Sequence, residues 1–158
     1  MFLSQKLVIN LLSILIYLIP ISLVTGPFLP DFFLVIFSSI FIITIIVERE
    51  YKYFKIKLFY LFVLFYLYIL LNSLFSENIF LSLESSLFYF RFGIFALGIW
   101  YVLDKNPRFL YQFFFILLLT FLIVVIDAYI QFFTGSNLIG YQKDEIRVSG
   151  FFNDIHLI

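Results

Sequence analysis

Three groups of polar residues stand out in a chain that is otherwise apolar. They are Arg91 in Tyr89-Phe90-Arg91-Phe92-Gly93, Asp127 with Gln131 one turn later, and Arg147 with Ser149 and Gly150 in Arg147-Val148-Ser149-Gly150. Arginine suits phosphate because its rigid fork can donate to two oxygens at once. Gly150 permits a tight turn just before a new apolar run. Arg147 and Ser149 would then stand at a helix mouth, where free N–H groups and a positive dipole favour an anion. The chemistry these types can support is the holding of an anionic group, phosphate above all.

Each group also has a plainer reading. Arg91 is expected near the outer end of its apolar run, where its guanidinium could snorkel to headgroups and pair with Glu84, seven residues earlier. Asp127 and Gln131 could form a solvated helix terminus, or a polar wall of an outward cavity. The segment Tyr141–Asn153 could be a charged loop end. His156 is assigned no role, and no catalytic residue is assigned. The absence of cysteine excludes disulfides, thiolate metal sites and a cysteine nucleophile. No metal site can be built from these side chains, and no cofactor is implied.

The elements that must position these residues are membrane helices. Hydrophobic residues make up 64% of the 158, charged residues only 13%, and mean hydropathy is +1.12. A soluble domain is nearer half apolar and one quarter charged. Ten Lys/Arg balance ten Asp/Glu, so net charge points to no nucleic-acid partner. Aromatic residues make up 23%, with 25 Phe and 11 Tyr, an excess that base composition would explain as readily as function.

Crossing a bilayer takes roughly 20 mainly apolar residues. Five runs predict spans: Leu7–Val24, Phe28–Val47, Leu58–Phe75, Leu87–Leu103 and Phe109–Ile126. They do not alternate as barrel strands would. The expected fold is an all-α membrane protein, one bundle of about five transmembrane helices forming a single domain over 1–158. Lys6, Arg49, Lys52, Lys55, Lys57, Lys105 and Arg108 all fall on one side of these spans, and the two intervening loops carry no Lys or Arg. Positive charge stays inside, so the N-terminus is expected to be cytoplasmic and 127–154 to lie at the outer face. The first span has no small-x-small cleavage site and reads as an anchor. No repeat recurs. The chain stops as a new apolar run begins, which reads as truncation at the start of a sixth helix.

The stretch Asp127-Ala128-Tyr129-Ile130-Gln131-Phe132-Phe133-Thr134-Gly135-Ser136-Asn137-Leu138-Ile139-Gly140 resembles the Asp…Gln-x-x-x-Gly-x-(Asp/Asn)-Leu-x-Gly stretch of the O-antigen ligase and polymerase family. Arg147-Val148-Ser149-Gly150-Phe151-Phe152-Asn153 is similar to that family's Arg-x-Ser-Gly-x-Phe-x-(Asn/Asp) motif. The resemblance covers about Asp127–Asp154; the earlier helices match in topology alone. It implies a polytopic glycosyltransferase of the bacterial inner membrane. Such an enzyme moves a glycan from an undecaprenyl pyrophosphate carrier to a lipid A core or glycan acceptor at the outer face. Arg147 then corresponds to the arginine facing the pyrophosphate, Ser149 and Gly150 to the turn that holds it, and Asp127 and Gln131 to the preceding motif. Arg91 is added from membrane energetics alone. The family's large outer loop, with the histidine usually proposed as base, falls beyond Ile158, and His156 does not match it, so this segment is not expected to be catalytically complete. The resemblance does not separate ligase from polymerase. Two other classes stay open: a flippase or transporter of lipid-linked glycan, and a non-catalytic membrane assembly subunit.

Overall fold

An apolar run in hydrocarbon must bond its own amides, and the helix is the form that does so within one segment. The computed structural model describes residues 5–140, and all the regular elements there are helical. They are α1 (Gln5–Leu23), α2 (Phe28–Glu48), a 3-10 turn (Tyr51–Lys55), α3 (Lys57–Ser73), α4 (Ile79–Leu87), α5 (Phe90–Lys105) and α6 (Phe109–Thr134). Four stretches, Gln5–Leu23, Phe28–Glu48, Ile79–Lys105 and Phe109–Thr134, are long and apolar enough to cross a membrane, and Lys57–Ser73 is a shorter apolar helix. The chain is a multi-pass membrane protein.

Two of the expected spans differ from what forms. The run Leu87–Leu103 is not one helix. Asn78 accepts the Leu81 N–H at 3.3 Å and starts α4, a cap of the usual kind. The ladder then breaks at Phe88-Tyr89, where Tyr89 N–H bonds Ser86 O and Arg91 N–H bonds Phe88 O. These three-residue bonds keep the backbone bonded across the break. The last helix, expected to stop at Ile126, continues to Thr134. It ends at Gly135, whose φ of 82° is left-handed and whose N–H returns to Gln131 O, the usual way of ending a helix on glycine.

The chain packs as two compact units, one holding α1 up to Leu12 with Leu34–Pro107, the other holding Ser13–Phe33 with the chain from Arg108 onward. The core of the first is aromatic. Phe37, Phe41 and Tyr101 are wholly buried; Phe37 meets Phe95 edge-on at 5.1 Å, and Phe41 lies 5.8 Å from Tyr101. Glycines let α5 approach closely. A Cβ on Gly98 would stand 2.4 Å from the Phe37 ring, and one on Gly93 would stand 2.1 Å from Phe62. In the second unit Tyr17 stacks on Phe109 at 5.4 Å, and its hydroxyl donates to Gln112 Oε1 at 2.8 Å. Much of α6 is bare apolar surface, including Leu118, Phe121 and Ile126, as a lipid-facing helix should be.

The two glycines predict different outcomes. Phe37 is sealed against Phe95 and cannot swing away, so Gly98→Ala should cost about 1–3 kcal/mol. Phe62 is only half-buried and can rotate, so Gly93→Ala should cost less. Thermal unfolding of the two variants in detergent checks the order.

Candidate functional site

Arg91 sits in the first turn of α5, and its depth follows from its neighbours. The Phe90 ring lies 6.5 Å from Tyr66, and Gly93 abuts Phe62, both near the middle of α3 rather than at its end. Arg91 therefore stands level with the middle of α3, and α4 precedes it where the sequence placed the outer end of the span. A charge at the centre of a bilayer costs about 2.5–3.5 kcal/mol on insertion scales. The half-buried guanidinium lies over the Phe92 ring at 5.2 Å, a cation–π contact that offsets part of this cost. Arg91, Glu84, Ser85 and Tyr89 line a cavity of about 530 Å³ at the helix break. Glu84 thus shares a cavity with Arg91, although the helix between them is interrupted. Phe92 is common to this cavity and to an apolar groove of about 640 Å³ between α3 and α5, walled by Phe59, Phe62, Phe65 and Ala96.

The residues 127–140 fold into one tethered turn. Asp127 and Gln131 are wholly buried, which overturns the solvated helix terminus. Asp127 Oδ1 accepts the Leu138 N–H at 2.9 Å, eleven residues on. Its other oxygen, Oδ2, is buried with no hydrogen-bond partner among the described residues. Asn137, 5% exposed, accepts the Ile139 N–H at 3.1 Å through Oδ1, an Asx turn. Gly140 closes the turn on Asn137 O with a left-handed φ of 101°. Each motif position has a structural reason: Asp127 tethers, Gly135 and Gly140 supply conformations that a side chain resists, and Asn137 organises the loop between them. Arg147, Ser149 and Gly150, with Lys143 and His156, lie outside the described residues.

A third polar group was not singled out from the sequence. Tyr101 donates to Glu48 Oε2 at 3.0 Å, and Gln5 Nε2 donates to the same oxygen at 3.3 Å. Lys52 and Tyr53 both donate to Asp104 Oδ2, at 2.8 and 2.7 Å, and Lys105 pairs with Glu50 at 2.7 Å. Tyr53 and Tyr101 meet edge-on at 5.4 Å between these pairs. The lattice pins the 3-10 turn to the end of α5. Local charge patterning could have suggested it, but the partners lie about 50 residues apart in sequence. Among the described residues no three His, Cys, Asp or Glu gather as a metal site would require.

No protein-family model, curated protein or solved structure matches the chain.

Two tests follow from these contacts. Asp127→Ala leaves the Leu138 N–H without its acceptor, at a cost of about 1–3 kcal/mol, and should speed amide exchange across 135–140. Asp127→Asn keeps an acceptor oxygen and should protect those amides; equal exchange in both variants contradicts the tether. The second test is alkaline titration. Burial, then the bond to Asp104, pushes the Tyr53 phenol well up, and the bond to Asp104 raises the Lys52 ammonium. Both hold their protons more tightly folded than unfolded, so stability is full below about pH 10 and drains as pH rises through the folded values. Thermal unfolding should show that decline, and Tyr53→Phe should flatten it.

Proposed function

We propose that this chain is part of an O-antigen ligase- or polymerase-like glycosyltransferase of the bacterial inner membrane, acting at the outer face on a glycan linked to undecaprenyl pyrophosphate. The observation that carries the reading is Arg91, level with the middle of α3, in a cavity that shares Phe92 with an apolar groove. A phosphate-bearing isoprenoid needs both halves of such a site. The groove takes hydrocarbon, and the arginine takes the anion through its fixed fork of donors. The resemblance over Asp127–Asp154 supports the same reading, with Arg147 as a second pyrophosphate contact and Ser149 and Gly150 shaping its turn. Asp127 and Gln131 act in it as positioning residues, holding the turn that leads into that segment. Net positive charge on the loops after α2 and α5 supports a cytoplasmic N-terminus.

In the transfer step an acceptor hydroxyl oxygen attacks the anomeric carbon. The bond from that carbon to the pyrophosphate oxygen breaks, and the electron pair leaves on the pyrophosphate. Fixed guanidinium charge lowers the barrier because it already stands where the negative charge develops. The acceptor proton passes to a base that none of the residues discussed supplies.

A lipid-linked glycan flippase is the second reading. The break at Phe88-Tyr89 favours it, since transporters place binding sites at interrupted helices. Binding and transfer together decide. Arg91→Ala should weaken binding of polyprenyl pyrophosphate to the chain in nanodiscs by about 10- to 150-fold, the effect of losing a hydrogen bond to a charged group. Arg91→Lys should recover little, because an ammonium lacks the fork. In cells, Arg147→Ala should lower glycan transfer about 10²–10³-fold while the protein still inserts. Carrier that crosses the bilayer without being consumed supports the flippase, and wild-type binding by Arg91→Ala overturns the site.

A further inference from the structure

The corner between α3 and α4 holds a cavity of about 420 Å³ that neither the motif nor Arg91 accounts for. Its chemistry is unusual for a membrane helix pair. It carries no charged side chain, and Tyr68 is the aromatic residue among those that line it. Four of its serines use their protons on the backbone. Ser73 donates to Ile69 O at 2.9 Å, Ser76 to Ser73 O at 2.9 Å, Ser85 to Leu81 O at 3.2 Å and Ser86 to Ser82 O at 2.7 Å. Ser73 and Ser86 also touch through their hydroxyl oxygens, so two protons serve three contacts. A serine whose proton is committed can only accept. The cavity is therefore an acceptor surface. The Asn72 carboxamide and the Ser82 hydroxyl, which have no side-chain partner among the described residues, add donors at its edge.

The ligand complementary to such a wall is uncharged, dense in O–H donors and flat enough on one face to lie on an aromatic ring. A sugar meets all three conditions. The position agrees. Leu81 and Ser85 belong both to this cavity and to the one containing Arg91, and Tyr68 belongs both to it and to the apolar groove. We propose that the α3–α4 cavity is a saccharide subsite that receives a neutral sugar of the lipid-linked glycan, next to the pyrophosphate position at Arg91. This rests on the lipid-pyrophosphate reading and adds where the sugar is held and which sugars fit. Acidic sugars are disfavoured, because a carboxylate would face lone pairs.

The test compares two ligands on the full chain in nanodiscs: polyprenyl pyrophosphate bearing one neutral hexose, and the same carrier without sugar. The wild-type chain should bind the hexose-bearing carrier about tenfold more tightly, the scale of one or two net hydrogen bonds. Asn72→Leu combined with Ser82→Ala should erase that preference and leave binding of the bare carrier unchanged. Asn72 is exposed and Ser82 half-buried, so the double variant should fold; Ser76→Leu, which fills the cavity from just past the end of α3 and lines neither the Arg91 cavity nor the apolar groove, is the independent second variant. Equal binding of both carriers by the wild type, or a preference that survives both variants, overturns the subsite and leaves the lipid-pyrophosphate reading intact. Failure of either carrier to bind overturns that reading, and the subsite with it. Competition by phosphatidylethanolamine, whose ammonium could also satisfy the acceptors, overturns the sugar assignment if it removes the hexose preference as completely as the variants do.

Discussion

Hydrocarbon offers no hydrogen bond, and every polar group in this protein is placed under that constraint. Hydroxyls within the helices turn their protons to the backbone, as Ser39 does to Val35 O, Thr44 to Ile40 O and Thr120 to Ile116 O. The same constraint makes the break at Phe88-Tyr89 informative. An interrupted helix frees amides and carbonyls, and at membrane depth such backbone is tolerated only beside protein or a cavity. Here short-range bonds recover part of the ladder, and the cavity lined by Glu84, Ser85 and Arg91 lies beside the break.

Charge is handled in two ways. Around the end of α5 it is paired or hydrogen-bonded: Asp104 takes Lys52 and Tyr53, Glu50 takes Lys105, and Glu48 accepts from the neutral Tyr101 and Gln5. Networks of this kind fix geometry more than they add stability, since desolvation offsets much of the attraction. At Asp127 one carboxylate oxygen organises a turn and the other is buried with no partner among the described residues. A half-satisfied buried carboxylate is costly. Its place at the head of the 127–140 segment fits a residue that holds a particular chain path.

The sequence made some of this legible and hid the rest for physical reasons. Apolar run length located α1, α2, α3 and the start of α6 closely, because bilayer thickness sets those lengths directly. It missed α4, since Ile79–Leu87 and Phe90–Lys105 are both apolar and hydropathy cannot see an interruption of the hydrogen-bond ladder between them. It ended α6 too soon, because Asp127 and Gln131 look like a polar terminus until their burial is known. The family resemblance grouped Asp127, Gly135, Asn137 and Gly140 in one motif, and the tether and turns give a structural reason for the grouping. The hydroxyl cavity was invisible in advance: its serines are spread over α3 and α4, and only the crossing of those helices brings them to one wall. The Glu48–Tyr101 lattice was hidden in the same way.

The central claim is that the α3–α5 groove and Arg91 together hold an isoprenoid pyrophosphate. It is tested most directly by photo-crosslinking in native membranes with a polyprenyl pyrophosphate carrying a diazirine in its first isoprene units. Peptides containing Phe62, Phe65 or Phe92 should carry the label, and unlabelled polyprenyl pyrophosphate should compete it away while dolichol-like alcohol without phosphate should not. Label spread along the bare face of α6, or equal competition by the alcohol, would contradict the account.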